Sequence, residues 1–257
     1  MLPIVAVVIE GILLFHTFGL QGLWVITLSG TLLLVVHLWV NGKGATQRLI
    51  PVGNDMEWLI KGIEGMAQKA GIKRPAVYLL DDYIPNAYSF GRTIVLSLGL
   101  FEVLDEEEVL AVAAHELGHI KNGDTKLFPM VAYGRFLLMA TTSLLLFLGS
   151  NFVRLLAALT YLMYELSRGW FMKKREFMAD DTALRLLPVP LSLKRALEEL
   201  KYYEDLRESV KMSALPSIEP NIERESPKRS LVGTHPSYEE RIMRITAYVT
   251  SLNNRIQ

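Results

Sequence analysis

Two blocks of almost uninterrupted apolar sequence, residues 3–40 and 130–166, set the terms on which this chain can fold. One helix over 3–40 would run roughly 57 Å, about twice the ~30 Å hydrocarbon core of a bilayer, so the block must fold back on itself. The break belongs at Phe18-Gly19-Leu20-Gln21-Gly22, leaving a short span (3–18) and a full one (22–40). The second block divides in the same way at Gly149-Ser150-Asn151. A cleaved signal peptide is the rival for the first span, but no Lys or Arg precedes it and no small-x-small site precedes residue 22. For the second block the rival is a pair of buried helices in a soluble protein, because Arg135 and Arg154 lie near the segment ends.

Four spans put both long polar stretches on one side of a membrane. Lys43 and Arg48 follow the second span and Lys173-Lys174-Arg175 the fourth, whereas the opposite turns hold almost no basic residues. The shared side is therefore expected to be the cytoplasm, in a multi-pass protein of the cell membrane with the lipid bilayer as its surroundings. The expected division is an N-terminal hairpin (1–41), a cytoplasmic part (42–129), a second hairpin (130–166) and a second cytoplasmic part (167–257). Glu10 in the first span and Arg135 in the third fall at similar depth, and an ion pair between them would lower the cost of burying either charge. Lys+Arg and Asp+Glu balance at 27 each, so no general field points to nucleic acid. Without cysteine, any bound metal must be held by His, Asp or Glu.

His115-Glu116-Leu117-Gly118-His119 carries the chemistry. Two imidazoles four residues apart on a helix stack one turn above the other and can reach one ion. The glutamate after the first is placed to take a proton from water activated by that ion. In a chain with only five histidines this pattern arises by chance on the order of 0.01 times. It indicates a zinc hydrolase, zinc being favoured over manganese or cobalt by ligand type and availability. A catalytic zinc needs three protein ligands and one open position. His16, His37, His235 and a carboxylate are the choices for the third. His16 and His37 lie near the ends of hydrophobic spans, where an interfacial or packing role is the simpler reading. Glu176 and Asp180 stand four apart on a predicted helix, so one could bind the metal while the other fixes a ligand imidazole through its free nitrogen. Asp124 is either a similar partner or an exposed turn residue in Asn122-Gly123-Asp124.

The polar stretches show a small α+β region. Residues 56–70 have helical spacing with Gly71 as a stop. Ala76–Leu80 and Thr93–Leu98 read as strands, and Pro85–Gly91 between them as an exposed sheet edge or a plain hairpin turn. Asp105-Glu106-Glu107-Glu108 caps the helix that carries the two histidines. Gly118 within that helix suggests close approach by another part of the chain. Residues from about Ser209 to Ser237 are rich in Pro, Ser and Glu and read as a long loop.

HELGH, then Arg175-Glu176-Phe177-Met178-Ala179-Asp180, then Thr234-His235-Pro236-Ser237 with Glu240-Arg241-Ile242 resembles the HtpX-like membrane zinc metalloproteases, which are related to the CAAX prenyl proteases. Pro85-Asn86-Ala87-Tyr88-Ser89-Phe90-Gly91 and Ser97-Leu98-Gly99-Leu100 are similar to two further stretches of that family. The resemblance implies a mainly α, α+β zincin-type core with a small β-sheet joined to about four transmembrane helices. It implies one Zn2+ held by His115, His119 and Glu176, Glu116 as the base, and polypeptide substrates, damaged or unfolded membrane proteins among them. His235, Tyr238 and Arg241 are then the donors available to a tetrahedral oxyanion, and His235 is also placed to block the open zinc position as a lid. Asn86, Ala87, Tyr88 and Ser89 would form the strand to which an extended peptide adds. The alternatives are a processing protease for lipid-modified C-termini, which needs a chamber enclosed by more than four spans, and a non-catalytic scaffold with a structural zinc, which would have no use for Glu116. Residues Gly169 to Lys174 separate Ser167-Arg168 from Arg175-Glu176, so the sequence does not show which arginine serves the site.

Overall fold

The computed structural model describes residues 2–43, 49–212 and 235–256. The chain forms two compact units, one of residues 1–48 with 126–172 and the other of 49–125 with 173–257.

The first unit contains α1 (Leu2–Phe18), α2 (Leu20–Lys43), most of α6 (Asp124–Leu148) and the opening turns of α7 (Asn151–Leu186). The break between α1 and α2 falls on Gly19, whose φ of +58° is open to glycine and strained for other residues. A side chain at Gly22 would run into the carbonyl of Leu14, so this glycine lets the two helices pack closely. Leu13, Leu14, Leu145, Val153 and Ala157 form one buried cluster, and Ala6, Leu138 and Tyr164 another. The outer faces leave large apolar side chains uncovered, among them Ile12, Trp24, Phe136, Phe147 and Phe152. Surfaces of that kind suit lipid rather than water. Among the described residues one helix, Asp124–Leu148, is long and apolar enough to cross a membrane, and Val5–Phe18 and Leu20–Leu32 are shorter apolar stretches. The helix that carries the fourth apolar segment, α7, continues past residue 166 through polar residues to Leu186.

The expected Glu10–Arg135 pair is not formed. Glu10 is 1% exposed and accepts a hydrogen bond from the Thr142 hydroxyl at 2.6 Å. Arg135 instead donates to Glu165 of α7 at 2.9 Å, and Arg168 closes on the same carboxylate at 2.7 Å. Thr142 lies seven residues past Arg135 on α6, about 10 Å along the axis, so depth in the span was a poor guide to the partner.

The second unit is built on a four-stranded sheet of order β1-β2-β4-β3. β1 (Leu49–Pro51) pairs antiparallel with β2 (Ala76–Leu80), β2 runs parallel to β4 (Thr93–Ser97), and β3 (Ala87–Phe90) is the edge, antiparallel to β4. α3 (Glu57–Ala70) stops at Gly71, which takes the left-handed φ of +71°. After α4 (Leu98–Val103) the chain enters α5 (Glu106–Asn122) through a full capping box: the Asp105 carboxylate accepts from the Glu108 N–H at 2.8 Å, and Glu108 accepts from the Asp105 N–H at 3.1 Å. Gly123 ends α5 at φ +76°. Leu59, Ile63, Leu96, Leu100, Leu117 and Ile245 are fully buried in a single core under the sheet and α5. The end of α7, α8 (Leu191–Met212) and α9 (Tyr238–Ile256) complete the unit. The predicted loop over 209–237 is shorter at its start, since α8 continues to Met212, and residues 213–234 lie outside the described residues.

Candidate metal centre

α5 is buried along the whole run from Ala111 to His119. This burial fixes both imidazoles and Glu116, whose exposures are 8, 6 and 6% for His115, His119 and Glu116. Their Nε2 atoms lie 3.1 Å apart and face a common point. The Oε2 of Glu176 approaches from α7, 3.4 Å from the Nε2 of His115 and 3.8 Å from that of His119. Among the described residues these three form the group whose donor atoms could hold one metal ion.

The close approach of α7 depends on a glycine. A Cβ at Gly118 would stand 2.7 Å from the carbonyl oxygen and 2.9 Å from the Cα of Ala179. With hydrogen in that place, the turn of α7 that carries Glu176 and Asp180 lies directly against the turn of α5 that carries the histidines.

Each imidazole is fixed from behind. The Nδ1 of His115 is 2.8 Å from Asp180 Oδ1, and that of His119 is 2.8 Å from Asp124 Oδ2. Both carboxylates are inaccessible, at 1 and 0% exposure. A carboxylate accepts only, so each Nδ1 must donate, which turns the Nε2 lone pairs toward the centre. Each aspartate is held in turn by an arginine. Arg241 donates from Nε to Asp180 Oδ2 at 2.9 Å and from Nη2 to Oδ1 at 2.6 Å. The 3.2 Å approach of Arg241 Nη2 to His115 Nδ1 then joins two donors and is no hydrogen bond. Arg175, next to Glu176, donates to Asp124 and to the carbonyl of Asn122 at the end of α5.

The electrostatics show what the centre requires. Burial by itself would lower the His119 pKa, but Asp124 and Glu176 outweigh it and push it up to about 10. His115 also ends above its usual value, with burial and Arg241 outweighed by Asp180 and Glu176. Burial would raise the Glu176 carboxyl, yet the three histidines 115, 119 and 235 hold it far below the carboxylate range. Asp180 is held down to about 2, Arg241 and His115 prevailing over burial. Two buried imidazoles and a buried carboxylate thus converge on one point where positive charge, whether protons or a cation that displaces them, is favoured. That donor set suits a divalent ion of borderline hardness such as zinc.

The remaining predicted residues lie at varying distance from this centre. His235 is exposed, and its Nδ1 is 3.2 Å from the second oxygen of Glu176. Tyr238 packs against the core, where burial and then Glu204 raise its phenol. Arg241 has its guanidinium on Asp180. Ala87, Tyr88 and Ser89 are in β3, and Asn86 immediately before it pairs with Ser97 through both backbone and side chain. Of Arg168 and Arg175, Arg175 is the arginine that serves the site, and its place beside Glu176 is its only signal in the sequence, because its partners Asn122 and Asp124 are more than fifty residues earlier.

A small sheet, a helix with two buried histidines and a crossing helix with a buried glutamate together define a metallopeptidase. Residues 54–249 match the model of Peptidase family M48, and the chain belongs to that family. Its relatives include the protease HtpX homologs of Dictyoglomus turgidum, 29% identical over 76% of this chain and 70% of the relative, and of Aquifex aeolicus, 29% identical over 73 and 70%. The homolog of Bacteroides fragilis is 31% identical over 70% of this chain and 65% of its own. The fold is similar to the crystal structure of S. mikatae Ste24p, with a TM-score of 0.58 at 18% identity over 90% of this chain; this chain spans 60% of the length of that structure. The protein is thus an HtpX-like protease of family M48, and polypeptides are its substrate class.

Proposed function

We propose that this protein is a membrane-integrated zinc metalloendopeptidase in which His115, His119 and Glu176 hold the ion and Glu116 is the general base. The observation that carries the reading is the meeting of two aspartate-backed imidazoles and one buried carboxylate at a single point. Zinc bound there would supply Lewis acidity to water and to the scissile carbonyl. Glu116, buried on the same helical turn, accepts the proton released as water attacks and returns it to the departing amine. Of the three C-terminal donors, His235 is the one with an exposed head near the centre, since Arg241 is committed to Asp180 and Tyr238 to the core. It is the donor we assign to the developing oxyanion. The apolar helices and the basic residues that flank them support four spans with the site on the cytoplasmic side. Damaged or misassembled membrane proteins are substrates that suit such a protease.

Metal removal tests the reading directly. A chelator is expected to abolish cleavage of an unfolded protein substrate, and one equivalent of zinc per chain to restore it. Full activity in protein shown by elemental analysis to contain no metal would sink the proposal.

The sheet edge supports a way of binding many sequences. Ser97 N–H donates to Asn86 C=O, so Asn86 and, by alternation along the register, Tyr88 and Phe90 bond inward to β4. Ala87 and Ser89 therefore turn their N–H and C=O groups toward the open edge, where an extended substrate adds as a further strand. A proline on an edge strand is tolerated when its missing N–H faced outward. Ser89→Pro is accordingly expected to lower kcat/KM about fivefold, the loss of roughly 1 kcal/mol of hydrogen bonding, mainly through KM. Its melting temperature should stay near that of the parent. An unchanged KM would remove β3 as the substrate strand.

A further inference from the structure

We infer that metal binding and the docking of the C-terminal helix α9 are coupled through Arg241, a positioning residue that completes the support of His115 from the far end of the chain. The inference rests on the zinc reading above and goes beyond it, from which residues hold the ion to what else the ion holds in place.

The two histidine ligands have the same kind of support, but it comes from different places. Behind His119 the support needs only α7 and the residues that follow α5: Asp124 comes five residues after His119, and Arg175 stands beside Glu176 on α7. Behind His115 the support closes only when α9 is docked. Asp180 Oδ1 lies 2.8 Å from the imidazole and 2.6 Å from Arg241 Nη2, and Asp180 Oδ2 lies 2.9 Å from Arg241 Nε. Arg244, one turn along, reaches Asp181 at 2.8 Å and covers the ring of Phe177 with its guanidinium 4.9 Å from the centroid. Ile245, next to Arg244, is fully buried in the core. One face of α9 is thus fastened to the very turn of α7 that presents Glu176 and Asp180.

Asp180 is 1% exposed with α9 in place, and if α9 undocks both its oxygens lose the guanidinium they accept from. A carboxylate left in a largely buried position without that partner is strongly unfavourable. The carboxylate is then drawn away from its place behind His115 toward water, and that movement frees the ring. Partners behind a metal-ligating histidine typically contribute about 10–100-fold to metal affinity. Linkage makes the effect reciprocal: whatever factor docking adds to metal affinity, the metal adds to docking.

Hydrogen exchange on the full chain in detergent tests this, comparing chelated protein with protein carrying one zinc. In the parent, amides of residues 238–250 are expected to exchange about 10–100-fold more slowly with zinc bound. Arg241→Gln should bind zinc about 10–100-fold more weakly, and exchange in α9 should no longer respond to zinc. Arg175→Gln should also weaken zinc binding while keeping the response of α9. An arginine that merely glued α9 in place would lower protection equally with and without zinc, and that pattern overturns the coupling. So does a parent protein that binds zinc stoichiometrically with α9 exchange unchanged. A parent that takes up no zinc would overturn the metal reading itself and this inference with it. Should Arg241→Gln fail to fold, the comparison of the parent with and without zinc decides alone.

Discussion

Replacing Glu116 by glutamine is expected to slow peptide hydrolysis about 10²–10⁴-fold, the usual contribution of a general base, while the bound metal stays. On the activation barrier that is roughly 3–5 kcal/mol. The two halves of the expectation have separate causes. Glutamine keeps the shape of the side chain in a site only 6% exposed, so α5 has no reason to repack. The three donor atoms belong to His115, His119 and Glu176, and none of them is altered. What is lost is the ability to accept a proton, because an amide at that place has no basic oxygen of comparable strength. KM should change little, since β3, the strand proposed to bind substrate, is untouched. Glu176→Gln gives the contrasting result, with metal content and activity falling together. Steady-state cleavage of an unfolded protein, with zinc measured in the same samples, distinguishes the two. Equal rates for the parent and Glu116→Gln would mean that this glutamate is not the base.

The parts of the fold that were legible in the sequence are those whose cause is local. The capping box of α5 is complete within Asp105–Glu108, and the stop of α3 needs only the left-handed Gly71. β2 and β4 begin where their β-branched and apolar runs begin. The three residues of β1 escaped because Leu49-Ile50-Pro51 is too short to show alternation; it is a strand because β2 offers it an edge. At the site the same division holds. The two histidines are one turn apart and declare themselves, and the Glu176/Asp180 spacing places both carboxylates on one face. Their arginines do not, because Arg241 meets Asp180 across sixty-one residues and Arg175 meets Asp124 across fifty-one. Glu10 shows the limit from the other side. Equal rise from the proposed boundary suggested Arg135 as its partner. Rise, however, fixes neither the relative shift of two helices nor which way around a helix a side chain points, and Glu10 meets Thr142 about two turns further along α6.

Gly118 gives the sharpest test of how the site is assembled, because local and tertiary physics predict opposite signs for the same substitution. In an exposed helix interior, glycine to alanine is stabilising by about 1 kcal/mol. Gly65 on α3 is such a place: it is exposed and its Cβ would meet nothing within 4 Å. Gly65→Ala should therefore stabilise by about that amount. At Gly118 a Cβ would meet Ala179 backbone at 2.7 and 2.9 Å, and backbone cannot rotate aside as a side-chain tip can. Overpacking of this kind costs about 1–3 kcal/mol, so Gly118→Ala should lose more than its helix propensity returns, and Gly118→Val should lose the most. The damage should also reach chemistry. Relief requires α5 and α7 to separate just where His119 and Glu176 face each other, and misplacement by about 1 Å is enough to weaken a site of this kind. Gly118→Val is thus expected to bind zinc poorly even where it remains folded. Thermal unfolding in detergent and zinc titration of the three variants check both claims. If Gly118→Ala were to gain stability as Gly65→Ala does, α7 could not lie against α5 at that turn, and the approach of Glu176 to the two imidazoles would need another explanation.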